Sequence, residues 1–124
     1  MNKPTRYFSS KQEKKVAKTI GGSVVPNSGA IRFGAGDVQL DDWLIECKTK
    51  TTPSKSMTIH KEWLEKNEEE AFSVGKSHSA LCFSFGDLHN DRNYYVISEP
   101  EFKRLLKGDT KWKQEIKEMM YWTT

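Results

Sequence analysis

Cysteine is scarce in this chain. Cys47 and Cys82 are the only two in 124 residues. That is too few for a disulfide framework, and both fall in β-prone apolar runs, so they read as reduced core thiols. Their spacing from His60, His78 and His89 matches neither a zinc finger nor a zinc ribbon. No apolar run approaches the roughly 18 residues of a membrane span, and the N-terminus lacks the apolar core of a signal peptide. No membrane partner is therefore expected; the expected compartment is the cytoplasm. A phosphate-cradling loop is missing too. Gly34-x-Gly36 is not followed by Gly-Lys-Ser/Thr and lacks the dinucleotide spacing, so no nucleotide cofactor is expected. Strong net charge is also absent: +3, with a pI of about 8.8, does not by itself mark a nucleic-acid binder. Hydrophobic residues make up 35% and charged residues 30%, which predicts one domain with a modest core and a heavily charged surface.

The charge that is present is unevenly distributed. Lys3, Arg6, Lys11, Lys14, Lys15 and Lys18 crowd the N-terminus, and Glu62 to Glu70 form an acidic run. Residues 1–8 read as a flexible basic arm, leaving 9–124 as the domain. Ser10 and Glu13 have capping-box spacing for a helix running to Ile20 and ended by Gly21-Gly22. Its inner stripe is Val16, Ala17 and Ile20, with the lysines outside. A short strand over 22–25 closes at Pro26, and a polar loop from Asn27 to Ala35 carries Ser28 and Arg32. A helix over 59–74, capped by Thr58, should turn its acidic run to solvent. Strands follow over 79–85 and 94–97. Glu99-Pro100-Glu101 opens a helix that Gly108 ends. A last amphipathic helix over 110–121 presents Trp112, Ile116, Met119 and Met120, as a homodimer seam or as packing onto the domain.

The informative stretch is Gly36-Asp37-Val38-Gln39-Leu40-Asp41-Asp42-Trp43-Leu44-Ile45-Glu46-Cys47-Lys48. Asp41-Asp42 reads as a turn between two short strands. Period-two alternation on the second strand sets Leu44, Glu46 and Lys48 on one face and Trp43, Ile45 and Cys47 on the other. A carboxylate and an ammonium thus stand side by side on an otherwise apolar strand, and Asp37 on the partner strand can face the same spot. Two carboxylates with a lysine suit a divalent metal that takes phosphate oxygen as a further ligand. The lysine can polarise a water or neutralise charge developing on a phosphodiester. The bland alternative is a solvated strand face.

Asp37 followed by Glu46-Cys47-Lys48 resembles the Asp…Glu-x-Lys core of the PD-(D/E)xK nuclease superfamily, with Gly36 standing where proline is common. Pro26-Asn27-Ser28-Gly29-Ala30 resembles the serine-containing loop of archaeal-type and phage Holliday-junction resolvases. The predicted element order agrees with the restriction-endonuclease-like αβββαβ core, an α/β fold with a mixed central sheet flanked by helices. The resemblance covers about residues 9–106 and leaves the C-terminal helix outside.

That resemblance implies a metal-dependent endodeoxyribonuclease resolving four-way DNA junctions. Asp37 and Glu46 would hold Mg²⁺ or Mn²⁺, with the backbone carbonyl of Cys47 and the first-helix Glu13 assisting, and Lys48 would position or activate water. Glu13 keeps its second reading as a helix cap. Ser28, Arg32, Lys50, Lys55, Lys11 and Lys14 are the expected DNA contacts. Paired symmetric nicks imply a homodimer. The alternatives are the same chemistry as a nickase, a flap or repair nuclease or a homing-type enzyme, and a DNA-binding or interaction module without catalysis.

Overall fold

The computed structural model describes residues 5–26, 37–86 and 92–122. Helix α1 (Thr5–Ile20) leads into β1 (Ser23–Val24), β2 (Val38–Leu40) and β3 (Trp43–Thr49). Helix α2 (Lys61–Ser73) then connects to β4 (His78–Ser84), β5 (Asn93–Val96) and α3 (Glu99–Trp122). The five strands form one sheet in the order β1-β2-β3-β4-β5. Only β3 and β4 run parallel, joined by the α2 crossover; the other neighbours are antiparallel. This is a mixed α/β fold with the predicted order of elements.

Each face of the sheet finds its own cover. Alternation sends Ile45 and Cys47 of β3, with Ala80 and Cys82 of β4, to the face where Val16 and Ala17 of α1 pack. Leu44 goes to the opposite face and meets Ala71 of α2. Asn67 fastens α2 to the sheet, its buried amide donating to the carbonyls of Leu44 and Ala80. At the other end, His78 Nδ1 lies 3.0 Å from Glu101 Oε1 and so anchors the start of α3.

Three boundaries differ from expectation. Residues 5–8 are not an arm: α1 begins at Thr5, where Arg6 pairs with Glu13 and Tyr7 meets Phe8 edge-to-face. Ser10 consequently lies inside the helix and cannot cap it. The cap of α2 is His60, which makes no side-chain capping bond; Thr58 lies upstream. The two predicted C-terminal helices are one, because α3 passes through Gly108. Glycine inside a helix costs only about 1 kcal/mol, which a long helix absorbs. Among the described residues, no helix is long and apolar enough to cross a membrane.

Candidate metal centre

Asp37 is held by its backbone before its side chain does anything. Its N–H donates to the carbonyl of Ile45 at 2.9 Å, and its own carbonyl accepts the N–H of Val25 at 2.9 Å. The residue is clamped between two strands. Turn geometry sets the register: Asp41 takes φ 45°, a left-handed conformation that aspartate tolerates, so Leu40 pairs with Trp43 and Val38 with Ile45. Asp37 Oδ2 then accepts the N–H of Cys47 at 2.7 Å. The N–H and C=O of one strand residue point to the same edge, so the Cys47 carbonyl faces the Asp37 side, as the expected ligand would.

Glu13 arrives from α1. It is only 2% exposed, and its Oε2 is buried with no donor. Burial, then the charge of Asp37, then a hydrogen bond with Asp37, push its pKa up to about 7; Arg6 pulls the other way. A hydrogen bond between two carboxyls needs a proton on one of them, which is why Oε2 is an orphan when both are ionised. The capping reading of Glu13 falls with the helix start at Thr5.

Glu46 arrives from the other side. Burial and then Asp37 raise its pKa to about 7, Lys48 lowers it, and Glu70 adds a smaller upward push. The acidic run of α2 therefore does not face solvent throughout, since Glu70 is half-buried and close enough for its charge to act on Glu46. Lys48 Nζ stands 3.7 Å from Glu46 Oε1 and 4.6 Å from the Trp63 ring centre, a cation–π contact that steers the lysine. Asp37 is thus the middle of a chain of three acids, with Glu13 on one side and Glu46 on the other.

Among the described residues, no three His, Cys, Asp or Glu side chains converge on one point. The described residues do not build an all-carboxylate cage. A carboxylate pair with open positions is instead what Mg²⁺ accepts, because that ion keeps waters and takes substrate phosphate. The orphaned Glu13 Oε2 and two glutamates destabilised as anions fit a cation bound beside Asp37.

The other predicted residues scatter. Lys11 and Lys14 are exposed on the outer face of α1, Lys55 is exposed in the loop after β3, and Lys50 is half-buried at its start. Ser28 and Arg32 lie outside the described residues. Two contributors were not predicted. Arg6 Nη1 is 3.3 Å from Glu13 Oε1; the seven-residue spacing, two turns on one helix face, was the available signal. Gln12 is buried and its amide donates to Lys48 O at 2.8 Å and Asn93 Oδ1 at 3.1 Å; only its long-range neighbours explain it. Comparison with protein-family models, curated proteins and solved structures gives no match.

Proposed function

We propose that this chain is a metal-dependent endodeoxyribonuclease on a restriction-endonuclease-like core, acting on branched DNA and making paired nicks at four-way junctions. The observation that carries the reading is the acid chain Glu13–Asp37–Glu46 with Lys48 beside Glu46. A solvated strand face would not set a buried Glu13 and a half-buried Glu46 against Asp37. Asp37, Glu46 and the Cys47 carbonyl would hold Mg²⁺ or Mn²⁺, with Glu13 completing the negative pocket. When bound, the ion supplies Lewis-acid stabilisation of charge developing on the phosphate. Lys48, steered by Trp63 and Glu46, orients the attacking water and offsets charge at the phosphate. Lys50 and Lys55, with Lys11 and Lys14 on α1, supply phosphate contacts that set register and carry no base readout.

The dimer this reading needs is supported by α3. Phe102 and Leu105 are more than half exposed, and Ile116 is exposed further along the helix. Apolar side chains left this open along one helix favour a seam between two copies over packing onto their own domain.

The test is cleavage of a synthetic four-way junction beside duplex, flap and single-stranded controls, with Mg²⁺ and with EDTA. Paired nicks on the junction, lost with EDTA and in Asp37→Ala and Lys48→Ala, are the expected result. Cleavage of flap or duplex alone would keep the chemistry and change the substrate. Junction binding without any cleavage would overturn the mechanism in favour of a binding module.

A further inference from the structure

Beyond Lys48 the sheet carries a row of rings on the same face. Lys48 pairs with Phe83, and Phe83 with Tyr94; paired residues on neighbouring strands project to one side of the sheet. Strands are spaced about 4.8 Å apart, so Tyr94 sits roughly 10 Å from Lys48 across β4. Tyr94 stacks on Phe83 at 5.5 Å and meets Phe85 edge-on at 5.6 Å, yet 42% of it remains exposed.

A cavity of about 480 Å³ opens beside that ring, walled by Ser54, Lys55, Phe85, Arg92 and Tyr94. Its loop wall is fixed. Ser54 N–H donates to Phe85 O at 2.9 Å, and Ser54 Oγ donates to Ser56 O. Gly86 lets the loop approach, because a Cβ there would stand 2.8 Å from Lys50 O. Gln12 links this corner to the candidate centre, donating to both Lys48 O and Asn93 Oδ1. Among the described residues the lining holds two cations, hydroxyls and aromatic surface, and no acid. Such a wall suits a ligand that is anionic at one end and a flat ring at the other.

We infer that this cavity is a subsite for one unpaired nucleotide of a DNA strand, its base stacked on Tyr94 and its phosphate held by Arg92 and Lys55. The inference rests on the nuclease reading in taking the ligand strand to be DNA. Duplex DNA hides its base faces, so the ring can serve only a base that has left its stack, as at a branch point or a frayed end. The separation from Lys48 is short enough for neighbouring nucleotides of one strand to occupy the cavity and the candidate centre together.

The test is fluorescence anisotropy of a short labelled single-stranded oligodeoxynucleotide, and of its duplex, with the full chain in EDTA. Tyr94→Ala should weaken single-strand binding about tenfold, with duplex binding little changed. Tyr94→Phe should retain it. Arg92→Ala, at an exposed position that does not threaten the fold, should weaken binding and lower the salt slope by about one. Single-strand binding unchanged in Tyr94→Ala and Arg92→Ala would overturn the subsite, as would equal losses on duplex and single strand. Metal-dependent cleavage by the unaltered chain is scored separately. A failed subsite leaves it standing, and a failed nuclease reading leaves the single-strand preference standing.

Discussion

Arg6 Nη1 lies 3.3 Å from Glu13 Oε1, two turns further along α1, and joins an exposed guanidinium to a buried carboxylate. The pair is the only ion pair found for Glu13 among the described residues, and it competes with Asp37 for control of that acid's proton. Arg6→Ala should therefore lower stability by about 1 kcal/mol at pH 8 in EDTA. The loss should vanish near pH 5, where Glu13 is protonated, and Arg6→Lys should restore most of it. Urea unfolding at the two pH values reads the difference; an equal loss at both would mean that Arg6 acts by packing alone.

Stability of the metal-free protein should fall as pH rises from about 4.5 to about 7. Glu13 and Glu46 each have a folded-state pKa near 7 against a reference of 4.5. Between those values the native state holds more protons than the unfolded chain, so the slope of stability with pH is negative. Their contribution is fully present below about 4.5 and is lost as pH passes 7. The loss across the window is on the order of 3 kcal/mol for each glutamate before solvent screening reduces it. Thermal melts in EDTA check it. Glu13→Gln and Glu46→Gln should each flatten the curve, and an unchanged slope in both would remove the electrostatic account of the centre.

Adding Mg²⁺ or Mn²⁺ should oppose that trend. Metal binds the ionised carboxylates, so it should raise Tm by several degrees at pH 8 and little at pH 5. Asp37→Asn should abolish the rise, because Asp37 is the shared neighbour of both glutamates. The same rise in Asp37→Asn would place the metal elsewhere.

The centre was more legible in the sequence than its surroundings. Alternation from Trp43 to Thr49 and the Asp41-Asp42 turn are local, and they set Glu46 and Lys48 3.7 Å apart; Asp37 falls just before β2 instead of within it, yet still bonds across the hairpin to Ile45 and Cys47. The start of α1 was not legible, because Thr5–Phe8 offers no acidic first turn or capping spacing; the ion pair to Glu13 supports that turn instead. The cavity draws on three separate segments, near 54, 85 and 93. No periodicity within any one of them announces it. Gln12 has the look of an ordinary helix polar residue until the fold brings Lys48 and Asn93 beside it.

Gly86 gives the loop after β3 its position. It has φ 81°, and a Cβ would meet Lys50 O at 2.8 Å and Thr52 O at 2.9 Å. Gly86→Ala should cost at least about 1–2 kcal/mol from the left-handed backbone alone. It should also push the Lys50–Ser54 segment off Phe85. Urea unfolding, with hydrogen exchange at the Ser54 amide, checks both; unaltered protection there would mean that the loop does not lean on Gly86.

The C-terminal helix offers the last test, because its continuity and its exposed apolar residues are linked. Gly108 sits inside α3, and a Cβ added there would meet nothing within 4 Å. Because α3 runs unbroken through Gly108, Gly108→Ala should stabilise the protein by about 0.5–1 kcal/mol; a neutral or harmful effect would contradict a continuous helix. An unbroken helix places Phe102, Leu105, Ile116 and Met119 close to one heptad-like stripe, with Leu105 and Met119 fourteen residues apart, which is two heptads. A second copy of the chain covering that stripe would give the two-fold pair of sites that symmetric nicking needs. Ile116→Glu with Met119→Glu should then yield a monomer by light scattering, with Tm little changed apart from the lost association. On a four-way junction the monomer should leave single nicks where the dimer leaves pairs. A wild-type monomer that still makes paired nicks would sever the helix from the function.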